Sequence, residues 1–252
     1  MKKMLSLALV LVLMMSLAAC GAKTEAPAST IEAGKLIMST NASFPPYDMI
    51  ADDGSFEGID VEVAGAIAKK LGLELEVDDM DFDAALLAVQ QNKSDIVMAG
   101  VTVTDDRKLV MNFTDSYATG VQVVIVKEGS DVTLDNLGEK MIGTQRGTTG
   151  YIFTSDDYGD DHVTAYDNGA SAVQALMNGQ VDCVVIDAAP AEAYVEANPG
   201  LTILDTEYVT ENYAIGVNKD NAALLDAING ALAELTADGT LDAIVGKYIS
   251  AE

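Results

Sequence analysis

The sequence DFDAALLAVQQNKSDIVMAG, residues 81–100, contains the unit from which the fold can be read. Apolar residues recur at helical spacing in its first part, and its last part is a continuous apolar run typical of a buried strand. A polar turn and Asp95 separate the two parts. Residues 171–187, SAVQALMNGQVDCVVID, repeat this order, with Asp182 in the place of Asp95. The repeat predicts two similar α/β lobes within one chain.

Helix and strand patterns alternate along the chain from residue 35 onward. The predicted helices cover residues 60–72, 81–93, 105–110, 171–180, 189–200, 221–239 and 240–250. The predicted strands cover residues 35–40, 73–77, 95–100, 120–129, 140–144, 182–187 and 212–220. This alternation indicates an α/β fold with mostly parallel sheets. Because ligands of open α/β sheets bind beyond the carboxyl ends of strands, the polar groups that follow the two repeats are expected to face one cleft.

Arg107 follows the first repeat, at the start of a short predicted helix. Thr104 is a good N-cap, and Asp105 and Asp106 fill the first turn, where negative charge is favourable. An arginine at the third helical position opposes the helix dipole and replaces the acid or amide of a capping box. Its position is explained if a carboxylate binds between the guanidinium and the free amides of the helix start. A surface salt bridge from Arg107 to Asp105 or Asp106 is the alternative.

Asp187 ends the strand of the second repeat and offers the opposite charge. It precedes Ala-Ala-Pro, so a role as the N-cap of the next helix is the alternative to ligand binding. Taken together, Arg107 and Asp187 place a receptor for a carboxylate in one lobe and a receptor for a cation in the other. An α-amino acid carries both groups, so the sequence predicts an amino-acid site between the lobes.

The composition of the chain excludes several other functions. Its 252 residues include 40 acidic and 14 basic side chains, a formal net charge of −26. Such a surface repels phosphate backbones, so we expect no nucleic-acid partner. The single histidine, His162, cannot by itself make a zinc site or a Ser–His–Asp triad, so no metal and no cofactor are expected. Cys183 lies within an apolar strand and is expected to be a buried thiol.

The N-terminus has the pattern of an export signal. Two lysines follow Met1, residues 4–19 form an apolar run, and Leu-Ala-Ala directly precedes Cys20. This ending resembles the lipobox of bacterial lipoproteins, in which the cysteine is acylated and becomes the first residue of the mature protein. A membrane-spanning helix is the alternative. We therefore expect a signal peptide at residues 1–19, lipidation at Cys20 and a flexible tether at residues 20–34.

Seven ordered motifs make the chain resemble the amino-acid-binding proteins of bacterial ABC importers, the polar amino acid family. The resemblance covers about residues 35–250. The motifs are NASFPPY (41–47), GIDVEVAGAIAKKLG (58–72), MDFDAALLAVQQNKSDIVMAGVTVTDDR (80–107), FTDSY (113–117), QRGTTG (145–150), VDCVVID (181–187) and DGTLDAIVGKY (238–248).

The resemblance implies a periplasmic binding protein type II fold, in which two α/β lobes are joined by two crossing strands. The first lobe would take residues 35–117 and 217–252, and the second lobe would take residues 122–212. The hinge would lie at residues 118–121 and 213–216, and the ligand would bind in the cleft between the lobes.

The resemblance also implies which residues bind the ligand backbone. The Gly100 carbonyl and Asp187 would accept from the ammonium, and Thr102 would bind both ends of the ligand backbone. Arg107 would bind the carboxylate together with the backbone amides of the Thr148–Thr149 segment.

The ligand side chain would lie in a slot with aromatic walls. Phe44 and Phe82 match the wall positions of the family, with ordinary core packing as the alternative. Gln145 and Arg146 are also within reach of the slot. Asn41 stands where several relatives with polar or basic ligands have aspartate, which weakens any claim for a lysine- or arginine-specific site.

These observations predict an extracytoplasmic solute-binding protein that captures a polar or basic L-amino acid and delivers it to an ABC permease by cleft closure. No bond is made or broken, so the protein is not expected to be an enzyme. The alternatives are an enzyme on the same scaffold, as in relatives that dehydrate cyclohexadienyl acids, and an amino-acid sensor. The expected partners are a free L-amino acid, the permease and the lipid anchor. We expect a monomer that is anchored to the cell membrane and faces the cell surface or the periplasm.

Overall fold

The computed structural model describes residues 29–205 and 207–249. The predicted signal peptide, Cys20 and residues 20–28 of the predicted tether lie outside the described residues. Across the two described ranges, no helix is both long enough and apolar enough to cross a bilayer.

Short strands and helices alternate through the described residues. The strands are β1 (Lys35–Thr40), β2 (Ser43–Phe44), β3 (Asp48–Ile50), β4 (Phe56–Glu57), β5 (Glu74–Asp79), β6 (Ile96–Val97), β7 (Met111–Lys127), β8 (Ile142–Gln145), β9 (Val163–Tyr166), β10 (Cys183–Asp187), β11 (Leu201–Ile203) and β12 (Val209–Asn218). The helices are α1 (Ile59–Leu71), α2 (Phe82–Gln90), α3 (Asp105–Val110), α4 (Thr149–Tyr158), α5 (Gly169–Met177), α6 (Ala188–Ala197), α7 (Ala222–Ala237) and α8 (Thr240–Tyr248). Every predicted helix is present. Sequence periodicity did not predict α4, β9, β11 or the small sheet of β2, β3 and β4.

Helix α1 illustrates why the periodicity identifies helices in this chain. Ile59, Val63 and Ile67 recur at helical spacing, and all three are fully buried. Gly72 ends the helix with a left-handed backbone (φ 71°), a conformation that glycine adopts without a steric penalty. The helix therefore packs one apolar face and stops where the sequence provides a glycine.

The main sheet joins two groups of parallel strands through two antiparallel strands. Its order is β5-β1-β6-β12-β7-β10-β8-β9, and β11 also pairs with β7. Strand β1 is parallel to β5 and β6, and β8 is parallel to β9 and β10. The central pair, β7 and β12, is antiparallel, so the prediction of mostly parallel sheets is wrong there. The reason is that one strand leaves the first lobe for the second and the other returns.

Strands β7 and β12, here called the bridging strands, connect the two lobes. Their pairing runs from Met111 opposite Asn218 in the first lobe to Gln122 opposite Val209 in the second. The register is irregular between Tyr213 and Gly216. The predicted fold of two α/β lobes joined by two strands is confirmed by this topology.

The two aspartates of the sequence repeat make the same backbone contacts in the two lobes. The Asp95 N–H donates to the Ile37 carbonyl, and Asp95 Oδ2 accepts from the Ile37 N–H, both at 2.8 Å. Asp182 exchanges the same two hydrogen bonds with Met141, both at 2.8 Å. Three residues before each aspartate, the backbone is left-handed, with φ 54° in the first copy and 71° in the second. The weak sequence repeat is therefore a structural repeat.

Each lobe has its own hydrophobic core. In the first lobe, β1, β6, α1 and α7 contribute buried residues such as Leu36, Ile96 and Ile228. The core of the second lobe consists of buried residues, such as Ile125, from β7, β8, β10 and α5. Cys183 is fully buried there, as predicted, and this burial raises the pKa of its thiol to about 12.

Candidate functional site

A single pocket between the lobes brings the predicted site residues together. The predicted residues that line it are Asn41, Phe44, Phe82, Gly100, Thr102, Arg107, Gln145, Thr148, Thr149 and Asp187. The described lining residues that sequence reasoning did not single out are Ala99, Gln122, Val185, Ile186, Glu211 and Tyr213. The pocket thus lies where the strand ends of the two repeats meet, beside the bridging strands.

Arg107 turns from the first turn of α3 into this pocket and is 8% exposed. Thr104 caps the helix as predicted, because its hydroxyl accepts from the Arg107 N–H at 3.2 Å. The guanidinium donates to the carbonyls of Thr102 (2.8 Å) and Gly147 (3.1 Å) and lies 5.4 Å from the centre of the Phe82 ring. Burial lowers the pKa of Arg107 to about 10, so it remains a cation at neutral pH.

The surface salt bridge considered for Arg107 is wrong. Asp105 pairs instead with Lys108, with 3.1 Å between the carboxylate oxygen and the ammonium nitrogen. Both of these side chains are largely exposed, whereas Arg107 is buried. The cation at the third helical position is therefore committed to the pocket rather than to the helix surface.

Asp187 caps the helix that follows it and also lines the pocket. One oxygen, Oδ1, accepts from the Ala189 N–H at 3.2 Å and caps α6. The other, Oδ2, accepts from the Val121 N–H (3.0 Å) and the Tyr213 hydroxyl (2.6 Å). The residue is 2% exposed and lines the pocket. Burial raises the pKa of its carboxyl to about 6, although the hydrogen bond from Tyr213 works in the opposite direction.

Gly100 has a left-handed backbone (φ 57°) that is held by a buried acid. Its N–H donates to Asp60 Oδ2 at 2.8 Å, and Asp60 Oδ1 accepts from the Tyr117 hydroxyl at 2.6 Å. A Cβ atom at this position would lie 2.6 Å from Cε1 of Phe44. Burial raises the pKa of Asp60 to about 6. The geometry therefore requires glycine here for two reasons, its backbone conformation and the closeness of the aromatic ring.

The start of helix α4 faces the pocket from the second lobe. Thr148 is the N-cap, and its hydroxyl accepts from the Tyr151 N–H at 3.3 Å. Thr149 is the first helical residue, and its hydroxyl oxygen lies 3.5 Å from that of Thr102. The first N–H groups of a helix have no partner within the helix, so they can bind an anion. The segment GTT thus supplies donors opposite Arg107.

The side-chain slot combines aromatic and amide groups. Gln145 Nε2 donates to Asn41 Oδ1 at 3.1 Å, and Asn41 Nδ2 donates to the Met80 carbonyl at 2.9 Å. Phe44 is half-buried and lies in the pocket wall, with Tyr47 stacked behind it at 5.6 Å between ring centres. Phe82 lines the pocket and also belongs to a buried core cluster.

Arg146 does not reach the slot. It is exposed and pairs with Asp167 at 3.3 Å on the surface of the second lobe. The expectation that this arginine could reach the ligand side chain is therefore wrong.

Several hydrogen bonds join the two lobes across the cleft. They include Gln145 to Asn41 and Arg107 to the Gly147 carbonyl, described above, and Tyr194, whose hydroxyl donates to the Ser43 carbonyl at 3.0 Å. These contacts hold the cleft closed in this structure.

Sequence reasoning missed the pocket residues of the bridging strands. Glu211 Oε2 accepts from the Thr102 hydroxyl and from Gln122 Nε2, both at 3.0 Å. Tyr213 is two residues further along β12, so both side chains point to the same face of the strand. The signal in the sequence was an acid and a tyrosine at alternate positions of a strand whose continuation is apolar.

Comparison with known proteins agrees with this fold. Residues 36–251 match the bacterial extracellular solute-binding proteins, family 3. A probable histidine-binding protein of Neisseria gonorrhoeae is 34% identical over 94% of this chain and 92% of its own length. The arginine-binding extracellular protein ArtP of Bacillus subtilis is 31% identical, with full coverage of both chains. The solved structure of an ancestral arginine-binding protein bound to glutamine is 40% identical, covers 87% of this chain and 100% of its own, and superposes with a TM-score of 0.83.

These matches define an extracytoplasmic solute-binding protein of the type II fold. The chain belongs to family 3 of the bacterial extracellular solute-binding proteins. The family match and the named relatives confirm the resemblance to the amino-acid-binding proteins of ABC importers. They also confirm the amino-acid capture function that was predicted from it. The relatives named above are binding proteins.

Proposed function

We propose that the pocket takes a polar or basic L-amino acid, and that the ten predicted residues hold it. The observation that carries this proposal is that Arg107 and Asp187, contributed by different lobes, are both buried and line the same pocket. An α-amino acid has a carboxylate for the first and an ammonium for the second. The relatives above are named as a probable histidine-binding protein and as arginine-binding proteins, one of them bound to glutamine, and all three ligands are polar or basic.

The ligand carboxylate binds Arg107 and the start of α4. A guanidinium forms two parallel hydrogen bonds with a carboxylate, and the amides of Thr148 and Thr149 add donors and the positive end of a helix dipole. In the low dielectric of a closed cleft, each of these contacts is stronger than in water.

The ligand ammonium binds Asp187, the Gly100 carbonyl and the Thr102 hydroxyl. The ammonium is a donor only, and all three groups can accept. Because Asp60 holds the Gly100 peptide from behind, the carbonyl acceptor is fixed before the ligand arrives. Preorganised acceptors of this kind reduce the entropy cost of binding.

The ligand side chain extends between Phe44 and Phe82 toward the amides of Asn41 and Gln145. Aromatic faces attract cationic groups, and amides bind polar ones, so the slot favours a polar or basic side chain. Replacing Asn41 by aspartate, a single added charge, is expected to shift the preference toward lysine and arginine. An unchanged ligand profile of the Asn41→Asp variant would show that Asn41 does not face the ligand side chain.

Binding proceeds by closure of residues 35–117 and 217–252 onto residues 122–212, with the hinge at 118–121 and 213–216. Closure brings Thr149 and Asp187 onto a ligand already held by the first lobe, and the closed form is recognised by the permease. No covalent step is involved, because pairing with an ammonium accounts for Asp187 without a role as general base. Formation of aromatic product from arogenate or prephenate would contradict this part of the proposal.

The protein acts outside the cytoplasm as a lipid-anchored monomer. The export signal at residues 1–19 is removed, Cys20 is acylated, and residues 20–34 tether the lobes to the membrane. The proposal is supported by the lipobox-like sequence and by the extracellular character of the family. Mass spectrometry of the membrane fraction tests it, because a mature chain that begins at a residue other than Cys20 would contradict it.

Titration calorimetry of the purified protein against the twenty amino acids tests the ligand assignment. We expect one ligand per chain, and an affinity loss of about a hundredfold or more in the Arg107→Ala variant, because a charged partner of the carboxylate is removed. The matched control is Lys108→Ala, which removes the neighbouring cation on the exposed face of α3. Normal binding by Arg107→Ala would refute the carboxylate assignment.

A further inference from the structure

A third charged side chain lies in the pocket, in addition to Arg107 and Asp187, and has no role in the ligand contacts proposed so far. Glu211 belongs to bridging strand β12, is 4% exposed and lines the pocket. Its Oε2 accepts from Thr102 and Gln122, whereas its buried Oε1 has no hydrogen-bond partner among the described residues. A buried carboxylate oxygen without a donor costs free energy, so such an atom in a ligand pocket points to a donor on the ligand.

Glu211 acts electrostatically on both other charged residues of the pocket. Its charge partly offsets the effect of burial on the pKa of Arg107, and it adds to the upward shift in the pKa of Asp187. Glu211 is therefore close to the receptor for the carboxylate and to the receptor for the ammonium. Among the described lining residues, these three are the charged ones, with one base and two acids. Once a ligand carboxylate is paired with Arg107, both acids remain for a cation.

Glu211 also determines what the Thr102 hydroxyl can offer a ligand. An ionised carboxylate can only accept hydrogen bonds, so Thr102 donates its one hydroxyl proton to Glu211 Oε2. The hydroxyl oxygen of Thr102 can then accept hydrogen bonds from a ligand but has no proton left to donate to it. Through this hydroxyl it can bind an ammonium but not a carboxylate.

We infer that Glu211 is a second acidic receptor for the α-ammonium of the ligand. Oε1 accepts directly from the ammonium, and Oε2 fixes the Thr102 hydroxyl as a further acceptor for the same group. The inference rests on the proposed function and adds to it a binding residue on a bridging strand. Asp187 approaches the ammonium from the end of β10, in the second lobe, and Glu211 approaches it from bridging strand β12. The ammonium therefore contacts both the second lobe and one of the strands that connect the lobes.

Ligands with and without the α-ammonium test this inference by titration calorimetry. The probes are L-arginine, L-glutamine and the des-amino analogue of each, in which hydrogen replaces the ammonium. The Glu211→Gln variant keeps the shape of the side chain and is expected to lose about tenfold or more of the preference for the amino form. It is expected to keep the ratio between the arginine and glutamine affinities. The control, Glu207→Gln, removes the same charge at an exposed position before β12 and should leave the preference unchanged.

Two results would overturn the inference. Equal losses for the amino and des-amino forms would mean that Glu211 has only a structural role. A changed ratio of arginine to glutamine, with the preference for the amino form intact, would mean that Oε1 faces the ligand side chain.

Two further variants keep the outcome decisive. Thr102→Val removes the second acceptor and should also weaken the preference for the amino form, which provides a test if Glu211→Gln does not fold. Asp187→Asn distinguishes a failure of the inference from a failure of the proposed function. If it reduces the preference for the amino form and Glu211→Gln does not, only the inference about Glu211 fails. If the wild type binds none of the polar or basic L-amino acids, the proposed function fails as well.

Discussion

Ligand affinity is expected to fall as the pH falls through 6, because Asp187 then gains a proton. Burial raises the pKa of this carboxyl from 3.8 to about 6 in the closed, ligand-free structure. A protonated carboxyl has lost the charge that attracts an ammonium, and the ammonium in turn lowers the carboxyl pKa in the complex. Binding therefore releases a proton below pH 6, and the linkage relation makes binding weaker as the pH decreases.

The size of the expected change in ligand affinity follows from the pKa of Asp187. With a pKa of about 6, roughly one Asp187 in eleven is ionised at about pH 5, whereas nearly all are ionised at about pH 7.5. The affinity should therefore fall by about tenfold over this range, which is about 1.4 kcal/mol of binding free energy. The slope below the midpoint should be about one decade for each pH unit.

Calorimetric titration with L-arginine is the direct assay, because the charges of this ligand do not change between about pH 5 and pH 7.5. Asp187→Asn supplies the critical comparison, since it should bind weakly at every pH and lose the slope. The acid behind Gly100, Asp60, also has a pKa of about 6 and is retained in this variant. A flat affinity profile in the wild type would contradict the assignment of the pH dependence to Asp187. An unchanged slope in Asp187→Asn would contradict it too, and would indicate Asp60 instead.

The stability of the ligand-free protein provides an independent readout of the same pKa shift. The folded protein holds the Asp187 proton more tightly than the unfolded chain, so the stability falls as the pH rises from about 3.8 to about 6 and the loss is complete above the folded-state pKa. Asp187→Asn should therefore lose this part of the pH dependence of the free energy of unfolding, which amounts to up to about 3 kcal/mol for a pKa raised from 3.8 to about 6. Denaturant titrations at several pH values in which the variant keeps the pH dependence of the wild type would contradict this.

Further predictions concern the positions that shape the pocket. Gly100→Ala should lower the free energy of unfolding by about 1–2 kcal/mol through its left-handed backbone, and should weaken binding by displacing Phe44. Gly129→Ala, also left-handed but with open space around it, should show the stability loss in a denaturant titration without the calorimetric loss of affinity. Thr104→Ala should cost about 1 kcal/mol of stability in the same titration, because α3 loses its N-cap bond. Tyr213→Phe removes a hydrogen bond that lowers the pKa of the pocket carboxyl, so the midpoint of the affinity–pH curve should move to higher pH.

Local patterns in the sequence were sufficient to predict several of the elements and some of the chemistry of the chain. Helical spacing predicted α1, and the TDDR sequence predicted an N-cap at Thr104 and an arginine at the third position of α3. The repeat around Asp95 and Asp182 predicted two related lobes. These features depend on neighbours within a few residues or on one short periodic segment, so they can be read without a tertiary structure.

Two properties of the pocket depend on the tertiary structure, namely the position of Glu211 in its wall and the pKa of Asp187. Glu211 lies 109 residues from its partner Thr102 and faces the pocket only because the alternation of β12 and its pairing with β7 point it there. The pKa of Asp187 is likewise set by burial and by Tyr213, a tyrosine on the same bridging strand, β12. Long-range contacts of this kind arise from the packing of distant segments, and a local pattern in one sequence contains no record of the distance between them.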